Sequence, residues 1–144
     1  MPKKRVKKLS LDWEMEFDYD VFGICSHYPD YRIVWGLNEK LGWQFERCSE
    51  AFVPNVTKAK SASEHSFYEF HHEEDRTDFY LIKNKSENKL LMDEQPGMDY
   101  FLFIHDPVGS DFQKVVQQLN SVTGILAAYH FEEDKLPSLK NISL

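Results

Sequence analysis

MDYFLFI, residues Met98 to Ile104, puts Met98, Tyr100, Leu102 and Ile104 on one face of an extended chain and Phe101 and Phe103 on the other. A strand that is apolar on both faces must be covered on both sides, so this one belongs in the middle of a sheet. The chain reaches it through a short acidic turn, MDEQPG at Met92–Gly97, whose Asp, Pro and Gly are turn residues.

Past the central strand, Gly109-Ser110 leads into a helix. Ser110 and Gln113 have the spacing of a capping box, and Phe112, Val115, Val116 and Leu119 follow at helical intervals. Ile125–Phe131 is expected as a last strand, with residues 133–144 trailing over the surface. Before the central strand, Ser66–His72 and Thr77–Lys83 are rich in Phe, Tyr, Leu and Ile, and the charged Glu73–Arg76 between them suits a hairpin turn. Asn84–Lys89 is a turn-forming cluster, and Leu90–Met92 a brief strand.

Further upstream, Pro29-Asp30 opens a helix. Asp30 is placed as N-cap, Tyr31, Val34, Trp35 and Leu41 form one stripe, and Gly42 is the stop. Asn38 falls on that stripe and must find partners if buried. Trp43–Cys48 reads as a short strand, and Ala51–Glu64 has the composition of a loop. In Asp18–Ser26, Val21, Phe22, Ile24 and Cys25 suit a short helix after an Asp cap or a strand; helix is the preferred reading. Leu9–Phe17 alternates apolar and polar residues as a half-solvated strand does.

The order is strand, helical region, strand, hairpin, central strand, helix, strand. This is α+β, with a mainly antiparallel sheet of about five or six strands and roughly two to three helices packed on it. The strand-helix-strand halves at either end resemble a ferredoxin-like sandwich with an inserted hairpin, a likeness of fold that assigns no function.

A length of 144 residues suits a single domain spanning 1–144, and 42% hydrophobic with 15% aromatic residues is too apolar for a disordered chain. Net charge is −7 but uneven. Lys3, Lys4, Arg5, Lys7 and Lys8 crowd into residues 1–8, a basic and frayed start, which leaves 12 bases against 24 acids beyond. Nucleic-acid binding is therefore disfavoured except through Lys3–Lys8, because phosphate affinity comes from clustered positive charge. No apolar run approaches the roughly 20 residues of a membrane span, and no apolar segment follows the basic start as in a signal peptide, so a cytoplasmic protein is expected. Two cysteines, Cys25 and Cys48, are too few for a disulfide framework or a zinc site. No nucleotide-binding glycine pattern or metal motif occurs, and His71 and His72 point to opposite faces of a strand, so neither cofactor nor metal is expected.

His27, Asp30, Arg32 and Asn38 form a polar group around the start of the first helix, where free N–H groups and the helix dipole favour an anion. Arg32 and Asn38 do not share a helix face, and the plainer reading is an Asp cap, a surface Arg and a core-bonded Asn. Glu94 and Asp99 are a second candidate, as a carboxylate pair. Carboxylates do acid–base chemistry only when burial or repulsion shifts them, so turn capping by Asp99 and packing by Tyr100 are preferred. No residue is assigned a catalytic role.

Glu94, Asp99 and Tyr100, with Met92 and Met98 as conservative replacements, resemble the signature of the bacterial IPExxxVDY family: Ile-Pro-Glu, three variable residues, Val-Asp-Tyr. Asp93 stands where that pattern has Pro. Gly23-Ile24, Ser26-His27, Asp30–Ile33, Trp35 and Leu37-Asn38 are similar to a second block of the same family. The resemblance implies a small protein of the Bacteroidetes type and no particular chemistry. The expected function is a non-enzymatic cytoplasmic domain that binds a protein partner or itself. The alternative is a small-molecule or anion sensor binding near residues 27–32, and the third an enzyme with Asp99 or Glu94 as acid or base.

Overall fold

The computed structural model describes residues 18–55 and 63–144. The Leu9–Phe17 strand and the basic Lys3–Lys8 stretch expected from sequence lie outside these residues. The elements are β1 (Asp20–Ser26), α1 (Asp30–Leu41), β2 (Glu46–Arg47), β3 (Phe67–His72), β4 (Thr77–Lys83), β5 (Lys85–Ser86), β6 (Lys89–Leu90), β7 (Tyr100–His105), α2 (Phe112–Asn120) and β8 (Ile125–Phe131), followed by short 3-10 turns at Glu133–Lys135 and Pro137–Asn141.

Among the described residues, six strands form one antiparallel sheet in the order β2-β3-β4-β7-β1-β8, and β5 and β6 make a small separate hairpin. The fold is α+β, as its alternation of strands and helices required. Strand β7 is central, flanked by β4 and β1. Helix α1 follows β1, and α2 carries the chain from β7 over β1 to β8, so β8-β1-β7-β4 has the order of a ferredoxin-like sandwich, with β3 and β2 extending it beyond β4.

Both faces of the sheet are covered, by different means. On one, Phe22, Ile24, Leu102 and Ile104 pack against Ile33, Val34 and Leu37 of α1 and Val115 and Leu119 of α2. On the other, Val21, Ile82, Phe101 and Phe103 lie under Met92, Met98, Leu136, Leu139 and Ile142. The Tyr100, Leu102 and Ile104 face of the central strand thus meets helices, and the Phe101 and Phe103 face meets loop and C-terminal residues; Met98, expected on the first face, precedes the strand proper and packs on the second.

Several local expectations change, among them the short strands, which are Glu46–Arg47 within the expected Trp43–Cys48 and Lys89–Leu90 in place of Leu90–Met92. Residues 20–26 are strand, not helix: β1 pairs with β7 on one side and β8 on the other. A strand buried on both faces loses its period of two, which is why VFGIC gave no clear signal. Gly23 faces Met98 and Phe131, where a Cβ would come within 2.6 Å of each. In α1 the buried stripe is Ile33, Val34 and Leu37, whereas Tyr31 and Trp35 are 68% and 65% exposed. Two apolar stripes compete on this helix, and packing selects one. Pro29, not Asp30, is its N-cap residue, and Gly42 ends it as expected, in the left-handed conformation at φ 71°. For α2 the cap is Asp111, whose Oδ1 accepts from the Lys114 amide at 3.3 Å, while Ser110 is buried.

Residues 133–144 do not trail over the surface. Leu136, Leu139 and Ile142 are buried against the second face of the sheet. Pro137 occupies the first turn of the last 3-10 segment, where its missing N–H costs no bond. Since Leu136 is 1% exposed, Leu136→Ala is expected to destabilise the fold by about 2–4 kcal/mol in urea titration, from lost burial plus a residual cavity. A loss within about 0.5 kcal/mol, the range of a surface substitution, would refute this role.

Candidate functional site

One member of each candidate group, Asp30 and Asp99, lies at the same end of the sheet. Strand β1 ends at Ser26 and the chain turns into α1, while β7 begins beside it. Asp99 immediately precedes β7. Its Oδ2 accepts from the Ser26 amide at 2.9 Å, its amide donates to the Ile24 carbonyl at 2.8 Å, and its Oδ1 lies 3.4 Å from Lys85 Nζ. The Tyr100 hydroxyl donates to the Tyr28 carbonyl at 2.7 Å. Ser26 Oγ accepts from the Tyr28 amide and donates to the Gly124 carbonyl at 2.6 Å. Asp99 and Tyr100 therefore clamp the turn that leads into α1.

Asp30 sits in the same region, at the first turn of α1, with its side chain 13% exposed. Its Oδ1 accepts from the Tyr31 amide at 2.8 Å, and Arg47 Nη1 lies 3.7 Å from Oδ2. Burial raises its pKa, but the Ser66 and Tyr68 hydroxyls, the Tyr31 amide and the Arg47 guanidinium outweigh that and hold the carboxyl below its ordinary value. Burial, reinforced by Asp30 and Asp99, pushes the Tyr100 phenol up. Burial and then Asp30 do the same to Tyr68.

The other named residues diverge. His27 and Arg32 are exposed, and the Arg32 guanidinium lies over the Tyr28 ring at 4.6 Å. Arg32 and Tyr28, with Trp35, Lys40, Ser121 and Thr123, border an open groove of about 310 Å³ that also contains Glu39, and His27 is not among its lining residues. Asn38 is spent on the core: its Oδ1 accepts from the Phe45 amide at 2.9 Å and its Nδ2 donates to the Phe45 carbonyl at 3.2 Å. It mimics a strand partner for the chain leaving α1.

Glu94 lies apart from Asp99. Its carboxylate accepts from the Ser138 amide at 2.8 Å and the Ser138 hydroxyl at 2.6 Å. It thereby caps the last 3-10 segment and fixes the C-terminal residues over the second face. No carboxylate pair forms between the two motif acids.

Sequence reasoning missed the residue that organises the motif loop. Asn84, read as part of a turn cluster, is fully buried. Its Nδ2 donates to the carbonyls of Gln95 at 3.0 Å and Met98 at 2.8 Å, and its Oδ1 accepts from the Met92 amide at 2.9 Å. Its own amide donates to the Asp99 carbonyl and its carbonyl accepts from the Leu91 amide. One side chain thus ties down the loop from both ends. Tyr68, Arg47 and Lys85 were missed as well, since nothing in their local spacing announces a partner distant in the chain.

Chemically, this cluster is committed to itself. Asp30 is held ionised, and Tyr68 and Tyr100 are held protonated. Burial, then Asp99, raises the Cys25 thiol, while burial and Glu69 push Cys48 up to about 11, so neither is poised as a thiolate. His71 is bonded at both nitrogens, to Asp78 at 2.7 Å and Glu69 at 3.0 Å. Among the described residues, no group of three or more His, Cys, Asp or Glu is arranged to hold a metal ion, and no helix is long and apolar enough to cross a membrane. Models of known protein families and curated proteins contain no match to the chain.

Two outcomes follow. Asn84→Ala leaves two carbonyls and an amide without their buried partner, so a loss of about 3 kcal/mol or more is expected in urea titration. A loss below about 1 kcal/mol would show that the loop closes without it. In histidine NMR, His65 should titrate below 6.5 because burial disfavours its charged form, and His71 above 6.5 because Asp78 and Glu69 favour it. The His65 contribution to stability is then present above 6.5 and falls as pH drops toward its folded pKa, whereas that of His71 is present below 6.5 and falls as pH rises. The reverse order of the two titrations would contradict the geometry.

Proposed function

We propose that the chain is a non-enzymatic domain that binds a protein partner or itself, acting in the cytoplasm. One contrast carries this reading: Asp30, Asn38, Asp99 and Tyr100 are engaged in internal bonds, while large apolar side chains stay exposed. Tyr31 is 68%, Trp35 65%, Leu126 62% and Tyr129 49% exposed. Aromatic residues are enriched at protein interfaces, where one large ring displaces much water at little entropic cost.

A second reading, an anion or small-molecule sensor, draws on the groove beside Arg32. Its volume of about 310 Å³ is at the lower end for small-molecule sites, and Arg32 and Lys40 supply positive charge beside two aromatic rings. The protein-binding reading is preferred because the groove is open and carries an acid, Glu39, among its cations. Membership of the IPExxxVDY family is also proposed, supported by structural tasks for Glu94, Asp99 and Tyr100 at their motif positions.

The test combines sedimentation with partner retention. Wild type is expected to self-associate or to retain a defined protein, and Trp35→Ser with Leu126→Ser to lose that interaction without losing fold, since both side chains are exposed. A chain that stays monomeric, retains no protein and shows a thermal shift with phosphate that Arg32→Ala abolishes would replace this reading with the sensor.

A further inference from the structure

Just before β3, a serine, a histidine and a backbone carbonyl are bonded in series. Ser63 and His65 stand two residues apart and their side chains meet: the Ser63 hydroxyl oxygen is 2.7 Å from His65 Nε2, and His65 Nδ1 is 2.7 Å from the Lys83 carbonyl oxygen.

What each atom can do fixes where the protons are. A carbonyl oxygen only accepts, so Nδ1 carries the ring proton. In a neutral imidazole Nε2 is then an acceptor, and the Ser63 hydroxyl donates to it. His65 is 1% exposed and burial disfavours its charged form, so the neutral ring prevails at neutral pH.

Backbone bonds hold this base in place. His65 exchanges two of them with Phe52, at 2.8 and 2.9 Å, and the Lys83 amide donates to the Ser66 carbonyl at 3.0 Å. The Ser86 hydroxyl donates to the Glu64 carbonyl between Ser63 and His65. A hydroxyl bonded to a base that a third group orients is the arrangement by which a serine becomes nucleophilic.

Ser63 is half-buried and borders a groove of about 380 Å³, whose described lining also includes Glu64, Ser86, Glu87 and Lys89. That volume admits a small molecule. Two acids against one base disfavour an anionic occupant.

We propose that Ser63 is a nucleophile, activated by His65, that takes an acyl group from a small uncharged or cationic carboxylic ester. Ser63 Oγ attacks the ester carbonyl carbon as its proton passes to His65 Nε2. The new Oγ–C bond forms, the bond from that carbon to the leaving oxygen breaks, and the proton passes from Nε2 to the departing oxygen. The products are an O-acylserine and an alcohol, and nothing is oxidised or reduced. This inference goes beyond the partner-binding reading and is independent of it. A single acyl transfer marks the chain without turnover, because the acylated side chain stands between the buried Nε2 and the groove.

The test uses the full chain, with p-nitrophenyl acetate as acyl donor. Wild type is expected to release p-nitrophenol in a stoichiometric burst, and peptide mass mapping to place the acetyl group on Ser63. Ser63→Ala should abolish the burst, and His65→Gln should slow it at least about a hundredfold, the lower contribution of a positioned general base. Circular dichroism checks that the His65 variant folds; where it does not, Ser63→Cys takes its place. That new thiol should react with iodoacetamide at least about tenfold faster than Cys25 or Cys48, since a paired imidazole favours the thiolate whereas burial raises both native thiols. Histidine NMR of the unmodified chain should find the His65 proton on Nδ1. A proton on Nε2, acetylation of Ser63 no faster than that of Ser138, a burst unchanged in folded His65→Gln, or a Ser63→Cys thiol no more reactive than Cys25 would each overturn the inference and leave partner binding through Trp35 and Leu126 standing. Continuous turnover that Ser63→Ala abolishes would support the nucleophile and overturn the non-enzymatic part of the reading above.

Discussion

The amide of Asn84 is the constraint on which much of this structure depends. It has no access to water, and a buried amide stays bonded or costs stability, so the backbone of the loop between β4 and β7 must bring three groups to it. Once Gln95, Met92 and Met98 are held there, the start of β7 is placed. Asp99 then reaches Ser26, Tyr100 reaches Tyr28, and Met92 and Met98 lie on the second face of the sheet. Glu94, on the same loop, extends the constraint to the C-terminal residues through Ser138. A polar network of this kind rigidifies a core only when every member is satisfied, and here each bond has its partner.

This economy of polar groups bears on function. Carboxylates and hydroxyls at the end of a sheet near a helix start resemble a site, yet an acid held below its ordinary value and phenols held above theirs neither give nor take protons readily near neutral pH. Exposed beside them is apolar surface, Tyr31 and Trp35 on the outer face of α1. Such rings suit the recognition proposed above.

Much of the fold was legible in the chain. Thr77–Lys83 and Ile125–Phe131 have the bounds read from composition, and Phe112–Asn120 is the helix its spacing requires. These segments are legible because each meets water on one side, or stands between strong turn residues. Val21–Cys25 was not, because pairing on both sides and burial on both faces erase periodicity. The stripe of α1 was misassigned because Tyr31 and Trp35 also carry large apolar surfaces at helical spacing, although each has a polar tip that water can reach, and packing buries Ile33 and Leu37 instead. Of the candidate residues, Asp30 and the pair Asp99 and Tyr100 were read as members of two separate groups and the fold brings them to one end of the sheet, whereas Glu94, Arg32, His27 and Asn38 lie outside that cluster, and Tyr68 and Arg47 gave no local signal.

The sequence by itself determined the class of fold and the place of its central strand, because alternation, turn residues and apolar content act locally and hold in any packing. Only the tertiary structure decided which polar side chains meet and that the C-terminal residues close the second face. Those outcomes depend on pairs far apart in the chain, Asn84 with the 92–98 loop, Glu94 with Ser138, Asp99 with Ser26. A single sequence carries no distance between such residues until the backbone has brought them together.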